Sequence, residues 1–477
     1  MGLLTALLSA LAAAPLAQTP PQGDPGQAPK APPPRVQDLK TPPRITLPAP
    51  DKTDLSVPNR PLSADEAARI ALNFQPTLGI ARGNLASAHG HTTQVRAGLL
   101  PQVSAGAGYN NLQSLSGYGV LPTSAPTGFV LPTVYPDDPF SAALQLKQLI
   151  YDFDQTRNLV RQSKAFEQVA LSNLDQAQST LVYTVKNAYY TYASLEQLVD
   201  VNQQNLDNRQ RQLDLAQSRI KNGVGLPSDV VTAETSKSQA ILTLNVARDN
   251  AEQAKVSLLS QMGIDPLTPI NVESTDEQLY AVDDPKPLFA MAFKRRPEIR
   301  AAEQTVLASK YGVNAARVVD YPNVFAGVAA GTRGQSTLND NTMSFQVGIQ
   351  FPLYDGGTRS GAIQSSKGQL TVAESQLQST VLGVRGDVAS AFLSLKSSEQ
   401  RVTITDNEVA NAREGVRIAE GRYRSGLGLF LDITTAQSLL LGALTDQNEA
   451  HQALNLARTR VRFATGEGLE LVGGARS

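Results

Sequence analysis

Two long stretches of the chain carry an uninterrupted heptad pattern, which limits the possible folds more than any other feature of the sequence. In residues 156–221 and 358–424, the residues expected to face inward are spaced alternately three and four apart. Such spacing is typical of α-helices that pack lengthwise against other helices. At about 1.5 Å per residue each helix is expected to be roughly 100 Å long, far longer than helices of globular domains. The pattern therefore predicts coiled-coil packing, although a fibrous coiled coil has the same pattern.

The two predicted seams consist mainly of aliphatic and small residues. The first contains Leu174, Gln178, Leu181, Val185, Ala188, Tyr192, Leu195, Val199, Asn202, Leu206, Arg209, Leu213 and Ala216. The second contains Leu377, Val381, Val384, Val388, Ala391, Leu395, Ser398, Val402, Thr405, Val409, Ala412, Val416 and Ala419. Polar residues such as Asn202 and Arg209 commonly fix the register of such seams.

The chain is an internal duplication. The first copy contains RIKNGVGLPSDVV from residue 219, and the second contains RYRSGLGLFLDIT from residue 422. Upstream, Pro76 recurs as Pro297, so the offset between the copies is larger there than at the glycine motifs. The first copy therefore has an insertion of about 18 residues between 109 and 141, where the composition predicts a long loop.

Each copy predicts the order helix, strand, loop, strand, long helix, glycine break, helix. The shorter helices are expected at 63–98, 228–263, 286–319 and 431–465. Ser63 is the expected N-cap of the first helix, and Glu66 completes a capping box with it. Two shorter helices placed end to end equal about one long helix, which suggests a wall of continuous and stacked helices.

The predicted strands alternate between apolar and polar or small residues. In MSFQVGIQF, Phe345, Val347 and Ile349 point one way, whereas Gln346 and Gly348 point the other. This alternation fits strands that face lipid on one side, and it also fits a small soluble sheet. Four strands cannot close a membrane barrel, and open edges in lipid leave backbone groups unpaired. If the strands span a membrane, several chains must share one barrel, and three chains supply twelve strands.

Composition excludes several classes of function. The chain has no Cys, so disulfides and thiol catalysis are excluded, and its net charge of −1 provides no general basic surface for nucleic acid. No catalytic constellation, phosphate loop or cofactor motif is evident. The pair His89 and His91 is explained better by a solvated helix face than by a metal site. The sequence thus predicts no enzyme, no cofactor and no metal.

The N-terminal residues have the composition of a targeting segment and a linker. Residues 1–17 resemble the hydrophobic region of a signal peptide, although a soluble helix is an alternative. Residues 18–61 contain 13 Pro, which predicts a largely disordered linker. Repeat 1 is then expected at 62–270, a short linker at 271–285, repeat 2 at 286–466 and a tail at 467–477.

The glycine breaks predict two helix–turn–helix tips. Gly223 and Gly426 are expected to end the long helices in the left-handed conformation. Ser228 is a candidate cap of the following helix. Asp229 and Asp432 have two possible roles, because a carboxylate near a helix N-terminus stabilises the helix and a ring of carboxylates can also form a gate.

These elements occur in the same order in both copies. Together they resemble the TolC-like outer-membrane efflux protein family over about residues 62–466. The likeness lies in LSADEAARIALNFQPTL, RAGLLPQVSAGAGY, VGIQFPLYDGGTRSGAIQ and GLFLDITTAQ. The resemblance implies a mainly α-helical protein with membrane β-strands. It implies a homotrimer with a twelve-stranded barrel in the outer membrane and a helical barrel in the periplasm. It further implies a passive exit duct for a tripartite efflux or type I secretion system, joined to an inner-membrane pump through a periplasmic adaptor protein.

In that family the helix–turn–helix tips meet the adaptor and carry the signature Val-Gly-Leu. By this resemblance the docking residues are Val224, Gly225, Leu226, Leu427, Gly428 and Leu429, where Leu427 replaces the Val of the signature. The family's acidic rings and tyrosine at the closable end correspond to Asp229, Asp432 and Tyr423. Leu226, Phe430 and Leu431 are expected to form an apolar tip.

Two other classes remain open from the residues alone. A structural coiled-coil envelope protein without transport activity would explain the seams but leaves the alternating strands without a role. A periplasmic adaptor should contain one helical hairpin flanked by β domains, whereas this chain has two complete repeats.

Overall fold

The computed structural model describes residues 60–109, 140–273, 276–279, 284–334, 338 and 340–467. The predicted signal peptide, nearly all of the Pro-rich linker, the inserted loop and the tail after residue 467 lie outside the described residues. The chain divides into two compact units, one containing most of the strands and the other containing the helices.

The helices follow the duplication. In repeat 1 they are α1 (Ala64–Phe74), α2 (Pro76–Ala97), α3 (Gln155–Lys221) and α4 (Pro227–Met262), and in repeat 2 they are α5 (Lys286–Arg295), α6 (Pro297–Arg317), α7 (Thr358–Arg424) and α8 (Phe430–Thr465). The long helices α3 and α7 have 67 residues each. The two ends of α7 follow the two ends of α3 by a constant number of residues, and the same number separates the ends of α8 from those of α4. This number equals the separation of Gly223 and Gly426, as the sequence predicts. No helix in the described part of the chain is long and apolar enough to cross a membrane.

The first helix of each repeat is broken, which corrects the prediction of continuous helices at 63–98 and 286–319. Pro76 begins α2 and Pro297 begins α6. The preceding residues, Gln75 and Arg296, have extended backbones with ψ of 118° and 122°. Proline lacks an N–H and disfavours a helical conformation in the residue before it, so each helix ends there. The predicted capping box at the start of α1 is confirmed, with Ser63 and Glu66 bonded reciprocally.

A Tyr-Asp doublet precedes each long helix, and its aspartate explains why the helix begins there. Asp152 Oδ2 accepts a hydrogen bond of 2.7 Å from the Thr156 backbone N–H. In repeat 2, Asp355 accepts from the backbone N–H groups of Gly357 and Arg359 at 2.9 and 2.6 Å. These bonds satisfy donors that have no partner within the helix and lower the pKa of Asp355.

The predicted seams are confirmed as the contact faces of the long helices. None of the predicted seam residues is exposed in α3 or in α7. The helix α3 packs along α4, and α7 packs along α8; α3 also contacts α8. We refer to the α3–α4 pair as hairpin 1 and to the α7–α8 pair as hairpin 2. In repeat 2 the seam continues into an apolar core that includes Val388, Leu395 and Val461. Each buried aliphatic side chain of this kind stabilises the packing by about 1.5–3 kcal/mol.

The linker between the repeats is held by a buried ion cluster, which sequence reasoning did not identify. Glu277 accepts from Lys186 Nζ at 2.9 and 3.0 Å, from the Tyr190 hydroxyl at 2.7 Å and from Arg462 at 2.6 Å. Asp65 lies 2.6 Å from the same lysine nitrogen. Because residues from both repeats contribute, the cluster fixes the linker against the helices.

The strands are β1 (Gln102–Tyr109), β2 (Phe140–Tyr151), β3 (Asn323–Gly334) and β4 (Asp340–Gln350), and they form one sheet in the order β1-β2-β3-β4. The alternating apolar residues of β4 are exposed, with Phe345 at 73% and Ile349 at 71%. Within the described sheet, β1 and β4 are the edge strands.

Candidate docking surface at the hairpin tips

The first tip, between α3 and α4, is closed by a Schellman motif. Gly223 has a φ of +74° and its N–H donates to the Ile220 carbonyl at 2.9 Å. The next N–H, of Val224, donates to the Arg219 carbonyl at 3.0 Å. This pair of bonds requires a left-handed residue, and glycine adopts that conformation without a steric penalty.

The second tip, between α7 and α8, repeats this geometry. Gly426 has a φ of +78° and donates to the Tyr423 carbonyl at 3.0 Å. Leu427 donates to the Arg422 carbonyl at 2.8 Å. The prediction that Gly223 and Gly426 end the long helices in the left-handed conformation is therefore confirmed.

The second glycine of each tip is needed for a different reason, which the sequence did not reveal. A Cβ atom on Gly225 would lie 2.6 Å from the Ile220 backbone nitrogen and 2.8 Å from the Arg219 carbonyl carbon. At Gly428 the closest atom is the Arg422 Cβ at 3.0 Å, with backbone atoms at 3.2 Å. The turn folds back onto the end of the helix, so a Cβ would overlap backbone atoms at Gly225 and would make tight contacts at Gly428.

Apolar side chains project from both turns. Val224 and Leu226 are 64% and 62% exposed, and Leu427 and Leu429 are 80% and 67% exposed. Leu431 is also exposed, but Phe430 is buried, so its prediction as an exposed tip residue is wrong. Its ring packs edge-on against Tyr423 with the centroids 5.6 Å apart.

The two tip aspartates, which the sequence treats alike, make different contacts. Asp432 Oδ2 accepts from the Leu429 backbone N–H at 3.0 Å, which is a capping contact at the start of α8. Asp229 instead accepts from the Tyr423 hydroxyl at 3.0 Å, a bond that joins hairpin 1 to hairpin 2. Ser228 is not the cap of α4, because that helix already begins at Pro227 with Leu226 in the cap position.

A second polar contact joins the hairpins at the same level. Arg219 Nη1 donates to the Tyr423 carbonyl at 2.6 Å, and its guanidinium lies 4.5 Å from the centre of the Tyr423 ring. Tyr423 is almost fully buried. Burial, followed by the hydrogen bond to Asp229, raises the pKa of its hydroxyl to about 12, so the phenol remains protonated as the donor.

Behind these contacts lies an apolar cluster that we call the hairpin cluster. It contains Leu213, Ala216, Ala233, Ala419, Tyr423, Phe430 and Ile433. Since α3 and α4 supply three of these residues and α7 and α8 supply four, the cluster packs the two hairpins together close to their tips. The sequence predicted Tyr423 at this end of the molecule but did not predict the cluster.

One histidine of the pair noted in the sequence contacts a carboxylate. His89 Nδ1 lies 2.8 Å from Glu167 Oε1 on an exposed surface, and that hydrogen bond lowers the pKa of Glu167. Within the described ranges, no group of three or more His, Asp or Glu side chains is arranged to hold a metal ion.

The described chain contains two helical hairpins of equal length, each preceded in sequence by a pair of strands. The family model described as "Outer membrane efflux protein" matches residues 68–263 and 288–467. The chain therefore belongs to the outer membrane efflux protein family, and its location is the outer membrane with the helices in the periplasm.

Individual relatives agree with this assignment. The outer membrane efflux protein BepC of Brucella suis is 27% identical over 334 residues, covering 68% of this chain and 72% of BepC. The outer membrane protein TolC of Escherichia coli is 23% identical over 397 residues, covering 78% of this chain and 76% of TolC. The crystal structure of VceC from Vibrio cholerae superimposes with a TM-score of 0.73 at 21% identity, covering 84% of this chain and 96% of VceC.

Proposed function

We propose that the protein is a passive export channel that acts as a homotrimer in the outer membrane. In this proposal it is the exit duct of a tripartite efflux or type I secretion system and receives cargo from an inner-membrane pump through a periplasmic adaptor. The observation that carries the proposal is the pair of matching tips, which present exposed apolar side chains on two rigid turns.

The sheet supports the trimer. Four strands are too few to close a barrel, and the exposed apolar row of β4 suits contact with lipid. Joining β4 of one chain to β1 of the next pairs the backbone groups at both edges. Three chains then form a twelve-stranded barrel without an open edge.

The tips support docking of an adaptor. Exposed apolar residues that cluster on a surface commonly mark sites of protein–protein contact. Val224, Leu226, Leu427 and Leu429 are exposed on turns that leave no room for a side chain at Gly225 and little at Gly428, so the surface is preorganised for binding. Gly225 and Gly428 serve this surface by shaping it rather than by contacting a partner.

The contacts of Tyr423 support a gate. Its bonds to Asp229 and Arg219 hold hairpin 1 against hairpin 2 at the tips. Opening of the tips by separation of the hairpins requires that these bonds break. Asp432 contributes negative charge at the same level while it caps α8.

Site-specific crosslinking in intact cells tests adaptor docking. Cysteines are placed at Val224 and Leu427, because both side chains are exposed and the chain contains no other cysteine. Gly225 is avoided because a side chain there disrupts the turn. Lys367→Cys, exposed on α7 and roughly 85 Å from the break, is the matched control. We expect the adaptor to be captured at the tips and not at residue 367; equal capture at all three positions would contradict docking.

Measurements on the purified protein separate a channel from a structural coiled-coil protein. A channel predicts a trimer in detergent that dissociates on heating and conducts ions in a planar bilayer. A trimer without conductance would favour the structural alternative. N-terminal sequencing of the mature protein tests the proposed removal of residues 1–17.

A further inference from the structure

Arg209 is a buried cation with an unusual environment between the two hairpins. Its side chain extends from α3 toward α8, and it is only 7% exposed. The guanidinium Nη2 donates to Ser438 Oγ on α8 at 3.2 Å. The residue lies one turn before Leu213, where the hairpin cluster begins.

No carboxylate among the described residues lies within ion-pair distance of this guanidinium, which distinguishes it from the other buried cations of the described chain. Lys186 is paired with Glu277 and Asp65, and Arg296 is paired with Glu298 and Asp387. Glu420, a carboxylate of α7 that contacts α8, pairs with Arg424 instead. Burial of a charge without a counter-charge is costly, and an arginine does not escape the cost by losing its proton.

A second buried side chain on this face of α3 has no hydrogen-bond partner among the described residues. Gln212 follows Arg209 by three residues on the same face of α3 and is 4% exposed. Neither its Oε1 nor its Nε2 has a hydrogen-bond partner among the described residues. A buried amide normally has at least one partner, so a ligand is indicated beside these two side chains.

We propose that Arg209 and Gln212 bind a small monovalent anion such as chloride between the hairpins, with Ser438 positioning the guanidinium. The guanidinium supplies the positive charge, and the Gln212 amide supplies an uncharged donor. The Ser438 hydroxyl donates to the Thr434 carbonyl at 2.9 Å and accepts from Arg209, so it positions the guanidinium. The high burial of Arg209 and Gln212 favours a monatomic ion over an organic anion. The bound anion neutralises the charge at the interface between α3 and α8, so it stabilises the packing of hairpin 1 against hairpin 2.

Bromide substitution tests the site directly, because bromide replaces chloride and has an anomalous X-ray signal. Crystals of the detergent-purified protein grown in sodium bromide should show an anomalous peak within hydrogen-bonding distance of the Arg209 guanidinium. A peak without anomalous signal at this position, as expected for water, would overturn the proposal. The measurement requires neither transport nor an adaptor, so it is independent of the proposed function.

Thermal unfolding provides a second test with matched variants. Chloride replaces gluconate at constant ionic strength, and a ligand that binds only the folded state raises Tm with the logarithm of its concentration once that concentration exceeds its Kd. We expect this rise in the native protein and in Arg211→Gln, which removes an exposed charge two residues away. It should be absent in Arg209→Gln and smaller in Gln212→Leu. No rise in the native protein, or the same rise in Arg209→Gln, would refute an anion at this site.

Discussion

The substitution Gly225→Ala should loosen the first tip more than Gly428→Ala loosens the second. The new Cβ would meet the backbone of Arg219 and Ile220 at 2.6–2.8 Å, well inside van der Waals contact. These atoms belong to the last turn of α3 and cannot rotate away as a side chain would. The φ of Gly225 is not in the left-handed region, so space alone decides the outcome.

The expected cost follows from this geometry. A forced methyl group in a closely packed site costs about 1–3 kcal/mol, which corresponds to roughly 5- to 150-fold in a local opening equilibrium. Relief requires that the turn move away from α3, which breaks the bond of 3.0 Å from the Val224 N–H to the Arg219 carbonyl. The Val224 amide should therefore exchange its hydrogen faster by that factor.

Hydrogen exchange measured by mass spectrometry on the peptide that covers residues 219–226 is a suitable assay. Gly428→Ala should have a smaller effect at the second tip, because the new Cβ would lie 3.0–3.2 Å from its closest atoms rather than 2.6–2.8 Å. Gly421→Ala is the control, since no atom lies within 4 Å of its new Cβ and alanine favours the helix by about 0.5–1 kcal/mol. An exchange rate in Gly225→Ala equal to that in Gly421→Ala, or a larger effect at Gly428, would show that the steric argument is wrong.

Three further predictions concern the interior. Tyr423→Phe removes the bond to Asp229 and should favour separation of the hairpins by about 1 kcal/mol, measured as more frequent opening in single-channel recordings. Folding raises the pKa of the Tyr423 hydroxyl from 10.0 to about 12. The stabilisation that depends on the neutral hydroxyl is therefore complete below pH 10 and is lost between pH 10 and 12. The unfolding curves of the native protein and of Tyr423→Phe should converge over that range. Glu277→Gln leaves buried cations with one carboxylate fewer and should lower the stability by about 3 kcal/mol in denaturant unfolding, whereas the exposed Glu252→Gln should have little effect.

The long helices could be predicted to within one residue because a heptad pattern is local and is repeated many times. The same applies to Gly223 and Gly426, whose conformation depends on the last turn of their own helix. The break before Pro76 was also within reach of the sequence, since proline disfavours a helical residue before it.

Other features depend on partners that are distant in the sequence. The burial of Phe430 is set by Tyr423, and the different contacts of Asp229 and Asp432 arise because only Asp229 lies beside that tyrosine. Glu277 stands in a polar linker, and no local pattern indicates that Lys186 lies 91 residues away in sequence but 2.9 Å away in space. Such pairings are set by the packing of the two hairpins against each other. The periodicity within a single helix gives no information about that packing.

The equal lengths of α3 and α7 have a consequence for how the lengths of these hairpins can change. Both helices have 67 residues. An insertion in only one of them would move its tip along the axis by about 1.5 Å per residue. Tyr423 would then no longer reach Asp229, and the two exposed turns would lie at different heights. A longer or shorter version of the protein therefore requires equal changes of whole heptads in both repeats, about 10 Å at a time, whereas the loops between strands can change in one repeat alone.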